Sequence, residues 1–119
     1  MAGTIVADTL THSTAGSIAT NYVVEGSAKT WARSGATSIL ESLNTSGFTD
    51  NGVGDYTIAF SSAFSSNTFA GTTAGLGTAA RSVNYSNAQT TSIDLDTFAT
   101  TTGSRTDTAT GFQINGDLA

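Results

Sequence analysis

Few residues in this chain could do chemistry, and their spacing decides what that chemistry could be. His12 is the single histidine, set in a Ser/Thr stretch with no acid beside it. It reads as a solvated residue, because a general base or ligand needs partners within reach. With one histidine and no Gly-x-Ser-x-Gly elbow, no Ser-His-Asp triad is expected. Asp94 and Asp96 flank Leu95, which on a strand puts both carboxylates on one face about 7 Å apart. Paired acids at such distances serve glycoside hydrolysis, but two solvated residues on an outer face account for them as well and are the preferred reading. Asp50, Asn51 and Asp55 gather in one loop and invite a Ca²⁺ reading. The EF-hand spacing is absent, and the turn chemistry of Asn51-Gly52 already explains these residues. Gly75-Leu76-Gly77 lacks the Lys-Ser/Thr and the helix that a phosphate loop requires. No catalytic, metal or cofactor-binding residue is therefore assigned, and no cofactor is expected.

Composition narrows the function classes further. Four Lys plus Arg stand against nine Asp plus Glu, a net charge of −5, so the basic footprint that phosphate backbones require is missing. The pair Lys29 and Arg33 is too small to reverse this, and no nucleic-acid partner is expected. Residues Met1 to Leu10 show neither a basic segment nor a long apolar run, so they do not read as a secretory signal. No stretch approaches the roughly 20 apolar residues of a spanning helix, and no membrane partner is expected. Cysteine is absent, which removes disulfides and thiolate metal sites.

The elements that position these residues read as strands. About a third of the 119 residues are Ser or Thr, and proline is absent. The apolar residues recur in short alternating runs, and β-branched Thr fits a pleated surface. Thr4 to Leu10 reads as a short strand or extended segment, and Ile18 to Val24 as another strand-like run. Lys29-Thr30-Trp31-Ala32-Arg33 alternates as a half-buried strand would. Ser38 to Leu43 fits one helical turn or a strand. Asn51-Gly52 is a hairpin signal, and Tyr56, Ile58 and Phe60 follow it at a strict period of two, hence on one inward face. Further strands are expected at Thr68–Thr73, Ala80–Tyr85, Thr91–Phe98 and Gly111–Gly116, with Thr101 to Asp107 as a polar turn. In the Thr91–Phe98 run, Ile93, Leu95 and Phe98 are expected inside, with Asp94 and Asp96 outside. The fold class is all-β: an antiparallel β-sandwich over residues 28–119 carrying an extended N-terminal arm, residues 1–27.

Residues from Lys29 onward also carry a family pattern. Ala28-Lys29-Thr30-Trp31, the turn at Ser34-Gly35, the run Ser42-Leu43-Asn44-Thr45-Ser46 and the block from Phe48 to Phe60 around Asp50-Asn51-Gly52-Val53-Gly54-Asp55-Tyr56 follow one another in order. Together they resemble a small β domain of bacteriophage tail fibres and other virion surface proteins of marine phages. Phe64 to Ala70 and the tail from Ser92 to Gly116 resemble its later segments, so the likeness spans about three-quarters of the chain. Where such domains carry Val-Asn-Phe after the tryptophan, this chain has Ala32-Arg33-Ser34. The resemblance implies a non-enzymatic structural protein on the particle surface, as a head or tail fibre or a capsid decoration (cement) protein. It also implies a homotrimer. Small size agrees, since a domain of this length buries only about two-thirds of its unfolded surface when alone. The arm is then expected to attach to other virion proteins of the capsid or tail. At its place in the pattern, Trp31 is expected to be packed, in the core or against a neighbouring subunit. The alternative reading is a carbohydrate-binding module for host surface polysaccharide, with Trp31 as a stacking platform.

Overall fold

The computed structural model describes residues 3, 6–77 and 79–119. Two four-stranded antiparallel sheets face each other. One has the order β4 (Ile39–Leu43), β3 (Ala28–Ser34), β10 (Ala109–Asn115), β7 (Ala70–Leu76); the other runs β5 (Thr45–Gly52), β6 (Asp55–Phe60), β9 (Ser92–Ala99), β8 (Arg81–Ser86). The fold is an all-β antiparallel sandwich. Ser38 to Leu43 resolves to a strand because Glu41, Ser42 and Leu43 pair with Arg33, Ala32 and Trp31.

The chain passes between the sheets through a single residue, Asn44, whose φ of 55° lies in the left-handed region that Asn tolerates. Its side chain fixes the corner, donating to Thr30 Oγ1 (3.0 Å) and Ser62 O (3.1 Å) and accepting from Ser62 N–H (2.6 Å). At the opposite edge, Thr73 Oγ1 donates to Val83 O (2.5 Å), tying β7 to β8. The two sheets are thus joined along both sides.

Between them lie Tyr56, Ile58, Phe60, Ile93 and Leu95 from one sheet and Ala32, Phe112 and Ile114 from the other. The period of two after the hairpin places Tyr56, Ile58 and Phe60 inward together, as expected. Phe64 and Phe69, from the segment between β6 and β7, close one end against Phe60, with ring centroids 4.8 to 6.1 Å apart. The inward polar residues Thr30, Ser34, Thr97 and Thr110 are buried but paired; Ser34 and Thr110 share a hydroxyl–hydroxyl bond of 2.7 Å across β3 and β10. Such pairing removes the cost of burying a hydroxyl.

Three expectations require correction. The hairpin joins β5 and β6, but its turn is Val53-Gly54, two residues beyond Asn51-Gly52. A bulge between Asp50 and Gly52 absorbs Gly52 into the strand end at φ +136°, and Gly54 at φ +65° makes the reversal. Phe98 does not face the core: the alternation Ile93, Leu95, Thr97 continues unbroken, so Thr97 is buried and Phe98 lies on the outer face. Residues Ile18 to Val24 are not one strand. β1 (Thr9–His12) and β2 (Gly16–Ala19) form a separate hairpin, after which α1 (Thr20–Gly26) begins. The ladder ends where Thr20 N–H donates to Asp8 O (2.9 Å), and past that point a strand would have no partner, whereas a helical turn satisfies its own backbone. Thr4, Ile5 and the side chain of His12 lie outside the described parts of the chain.

Candidate functional site

Three surfaces collect the residues singled out by type and spacing. The first is the outer face of β5-β6-β9-β8. Antiparallel register sets Asp55 opposite Asp96 and Thr57 opposite Asp94. Thr57 Oγ1 donates to Asp94 (2.7 Å), and the Asn87 amide donates to the other oxygen of Asp94 (2.9 Å). Ser86 Oγ donates to Asp96 (2.6 Å). The Asn51 amide reaches both Asp55 (3.2 Å) and Thr57 (2.8 Å). Arg105 bridges two of the acids, 2.6 Å from Asp55 and 2.5 Å from Asp96, with its guanidinium 5.9 Å from the ring centre of Phe98. Phe98 therefore has an outer role, as the apolar floor beneath that cation.

The arrangement is a hydrogen-bonded ladder. Asp94 and Asp96 share a face, as the alternation required, but each is engaged by two neighbours. Asp50, placed with Asn51 and Asp55 for a calcium reading, accepts Gly52 N–H instead (3.0 Å). The Asn51 amide hydrogen bond, then the Arg105 guanidinium, hold the Asp55 carboxyl below its ordinary value. A depressed carboxyl contributes stability that is complete above its unfolded pKa, near 3.9, and disappears as pH falls through the lower folded value. Arg105→Ala should cost about 0.5–1 kcal/mol at pH 7, since the pairs are part-exposed. In urea denaturation the gap between variant and parent should close below about pH 4. A gap that stays constant down to pH 2 would show that Arg105 acts by packing on Phe98.

Arg105 is carried by the loop after β9, which also supplies Asp107. The Asp107 carboxylate accepts Gly54 N–H (2.7 Å) and the Tyr56 hydroxyl (3.1 Å). Burial, then this bond, push the Tyr56 phenol above its ordinary value. Neither Arg105 nor Asp107 stood out in a stretch that reads only as a polar turn, because Asp107 bonds Gly54 and Tyr56 more than 50 residues earlier and Arg105 joins Asp96 to Asp55 across two strands.

The second surface is the outer face of β4-β3-β10-β7, where Trp31 sits. The inward residues of β3 are Thr30, Ala32 and Ser34, so Trp31 faces away from the core, half-buried. Of the two packed positions expected for it, the core is excluded. Gly75-Leu76-Gly77 ends β7 and turns the chain toward β8, with a side-chain position at Gly75 closed off by Arg81.

The third surface is N-terminal. From Val6 to Ser27, every residue whose burial is described is exposed except the partly covered Thr20. Exposed Val6, Leu10, Ile18, Tyr22, Val23 and Val24 give this small hairpin and helix an apolar exterior, with a groove of about 450 Å³ between Leu10, Val23 and their neighbours. Asn115 Nδ2 donates to Gly26 O (2.5 Å) where this segment enters the sandwich. Among the described residues no helix is long and apolar enough to cross a membrane.

Set against protein-family models, curated proteins and solved structures, the chain finds no match, so the functional reading is built on these three surfaces.

Proposed function

We propose that this chain is a non-enzymatic structural protein of a bacteriophage particle surface, of the fibre or decoration class, in which residues 28–119 form the head of a homotrimer and residues 1–27 attach it to other virion proteins. The observation that carries the reading is the apolar N-terminal segment. Strands of four residues and a helix of seven are too short to persist alone. A contiguous exposed apolar surface on such an element marks burial supplied by another molecule. The sandwich, by contrast, draws no buried core residue from before Thr30. The carboxylates that could have formed an acid–base pair are occupied in a structural ladder, which favours a building block over a catalyst. The order of motifs from Ala28 to Phe60 supplies the phage-fibre context and the threefold assembly.

The test is removal of residues 1–27. The truncated protein should remain folded and trimeric by light scattering, yet fail to co-sediment with particles that carry the full chain. A truncated protein that is monomeric at micromolar concentration and still bound to particles would overturn both halves of the proposal.

A further inference from the structure

We propose that the outer face of the β4-β3-β10-β7 sheet is a binding site for acidic polysaccharide, with Trp31 as its platform and Lys29 and Arg33 as its anion-reading groups. This site is separate from the particle assignment: Lys29, Trp31 and Arg33 all lie beyond residue 27, and Lys29 meets the N-terminal segment at Ser27.

The argument begins with strand periodicity. Thr30, Ala32 and Ser34 point inward, so Trp31 and Arg33 project together from the other side, and Lys29 precedes them at a bulge in β3, where Asn115 pairs with Ala28. Register then sets Leu43 on one flank of Trp31 and Gln113 on the other, with Thr72 beyond Gln113. Arg33 faces Gly111 and then Ala74, so the face is low on that side of the tryptophan. Among the described residues no other ring and no cation lies over the indole. A half-buried indole between Leu43 and Gln113 suits stacking with a pyranose ring, while Gln113 and Thr72 offer donors and acceptors to its hydroxyls.

Charge selects the class of sugar. The chain holds four cations in all, and two of them flank its only tryptophan at two residues either side. Arg33 makes no ion pair among the described residues, although Glu41 lies opposite it, and Lys29 donates only to Ser27 Oγ (2.6 Å). This face thus sets two cations against one carboxylate. The opposite face sets Asp55, Asp94 and Asp96 against Arg105. In a protein of net charge −5, a cationic face around an aromatic platform matches a ligand that carries its own carboxylates or sulfates. Cations on both sides of the tryptophan along β3 suit a chain of sugars better than a single ring.

Trp31 is also the sole tryptophan, so its emission reports this face alone. The full-length protein is titrated with alginate (a polyuronate), with dextran sulfate and with neutral dextran. A saturable change in emission is expected with one or both polyanions, weakening with added salt, and none with dextran. Lys29→Ala/Arg33→Ala should weaken binding about tenfold or more while leaving the melting temperature nearly unchanged, since Arg33 is exposed and Lys29 only partly covered. Trp31→Ala should abolish retardation of the protein in polyanion-containing native gels. Absence of response to either polyanion overturns the proposal, as does an equal response to dextran or a double variant that binds like the parent. Emission that changes with protein concentration instead would assign the face to contacts between copies, and would overturn it too. None of these results bears on attachment through residues 1–27, so the two proposals fail separately.

Discussion

Ile58→Asp is expected to leave the chain largely unfolded at pH 7. Ile58 is fully buried at the centre of β6, opposite Phe48 on one side and Ile93 on the other, within a cluster of apolar side chains. The substitution forfeits the burial of the isoleucine, about 2–3 kcal/mol. It also places a carboxylate in apolar surroundings, which costs several kcal/mol more unless the group takes up a proton. The sum is comparable with the whole stability of a small domain, about 5–15 kcal/mol. Sign fixes a pH signature. The introduced carboxyl would have a folded-state pKa raised above its unfolded value, so the variant is least impaired below about pH 4 and loses stability as pH rises from there. Ile58→Val, which trims one methyl, should cost only about 1 kcal/mol. Thermal melts at pH 4 and pH 7 read both. A variant melting like the parent at pH 7 would mean that this side of β6 is not the core.

That inward face was legible because Tyr56, Ile58 and Phe60 keep a strict alternation with Asp55, Thr57 and Ala59 over a full strand. The same rule, followed to its end, would have corrected two other readings. In β9, Thr97 is the next inward position after Ile93 and Leu95, and the bulk of Phe98 drew the expectation one residue too far. In β3, Arg33 shares a face with Trp31 by spacing alone, and a cation on a buried face would be prohibitive. The place in the pattern suggested that Trp31 was packed, in the core or against a neighbouring subunit, and periodicity with charge removes the core by sending it outward.

What periodicity could not supply was anything held by distant partners. Arg105 and Asp107 sit in a Thr-rich turn with no local pattern, and their roles exist only because the loop folds back on β9 and the β5–β6 hairpin. The turn position shifted for a related reason. Asn51-Gly52 has the right local chemistry, but the Asn51 amide is spent on Asp55 and Thr57, and Asp50 caps Gly52. The reversal moves to the next glycine. The apolar residues of Ile18 to Val24 misled in the opposite sense, because strand propensity needs a neighbouring strand to be realised.

Gly54→Ala should be the most damaging single-methyl addition in the protein, costing about 3–5 kcal/mol. Gly54 has φ +65°, and a Cβ there would lie 2.5 Å from Thr97 O and 2.7 Å from Thr106 N, both main-chain atoms. The left-handed conformation alone costs an alanine about 1–2 kcal/mol. The remainder comes from displacing backbone that is bonded at this spot: Thr97 N–H to Gly54 O (2.9 Å), Thr106 N–H to Thr97 O (3.0 Å) and Gly54 N–H to Asp107 (2.7 Å). Each hydrogen bond lost is worth about 1 kcal/mol. Gly103→Ala is the control, since Gly103 has φ +70° but open space around its Cβ position, and should cost only the conformational part. A local readout separates loop displacement from general destabilisation. If the loop is pushed off the hairpin, the Tyr56 hydroxyl loses Asp107, and its phenol should ionise closer to the ordinary tyrosine value in a near-ultraviolet titration of the folded variant. Were Gly54→Ala to cost no more than Gly103→Ala, with the Tyr56 titration unmoved, the close approach of hairpin, β9 and loop at Gly54 would be wrong.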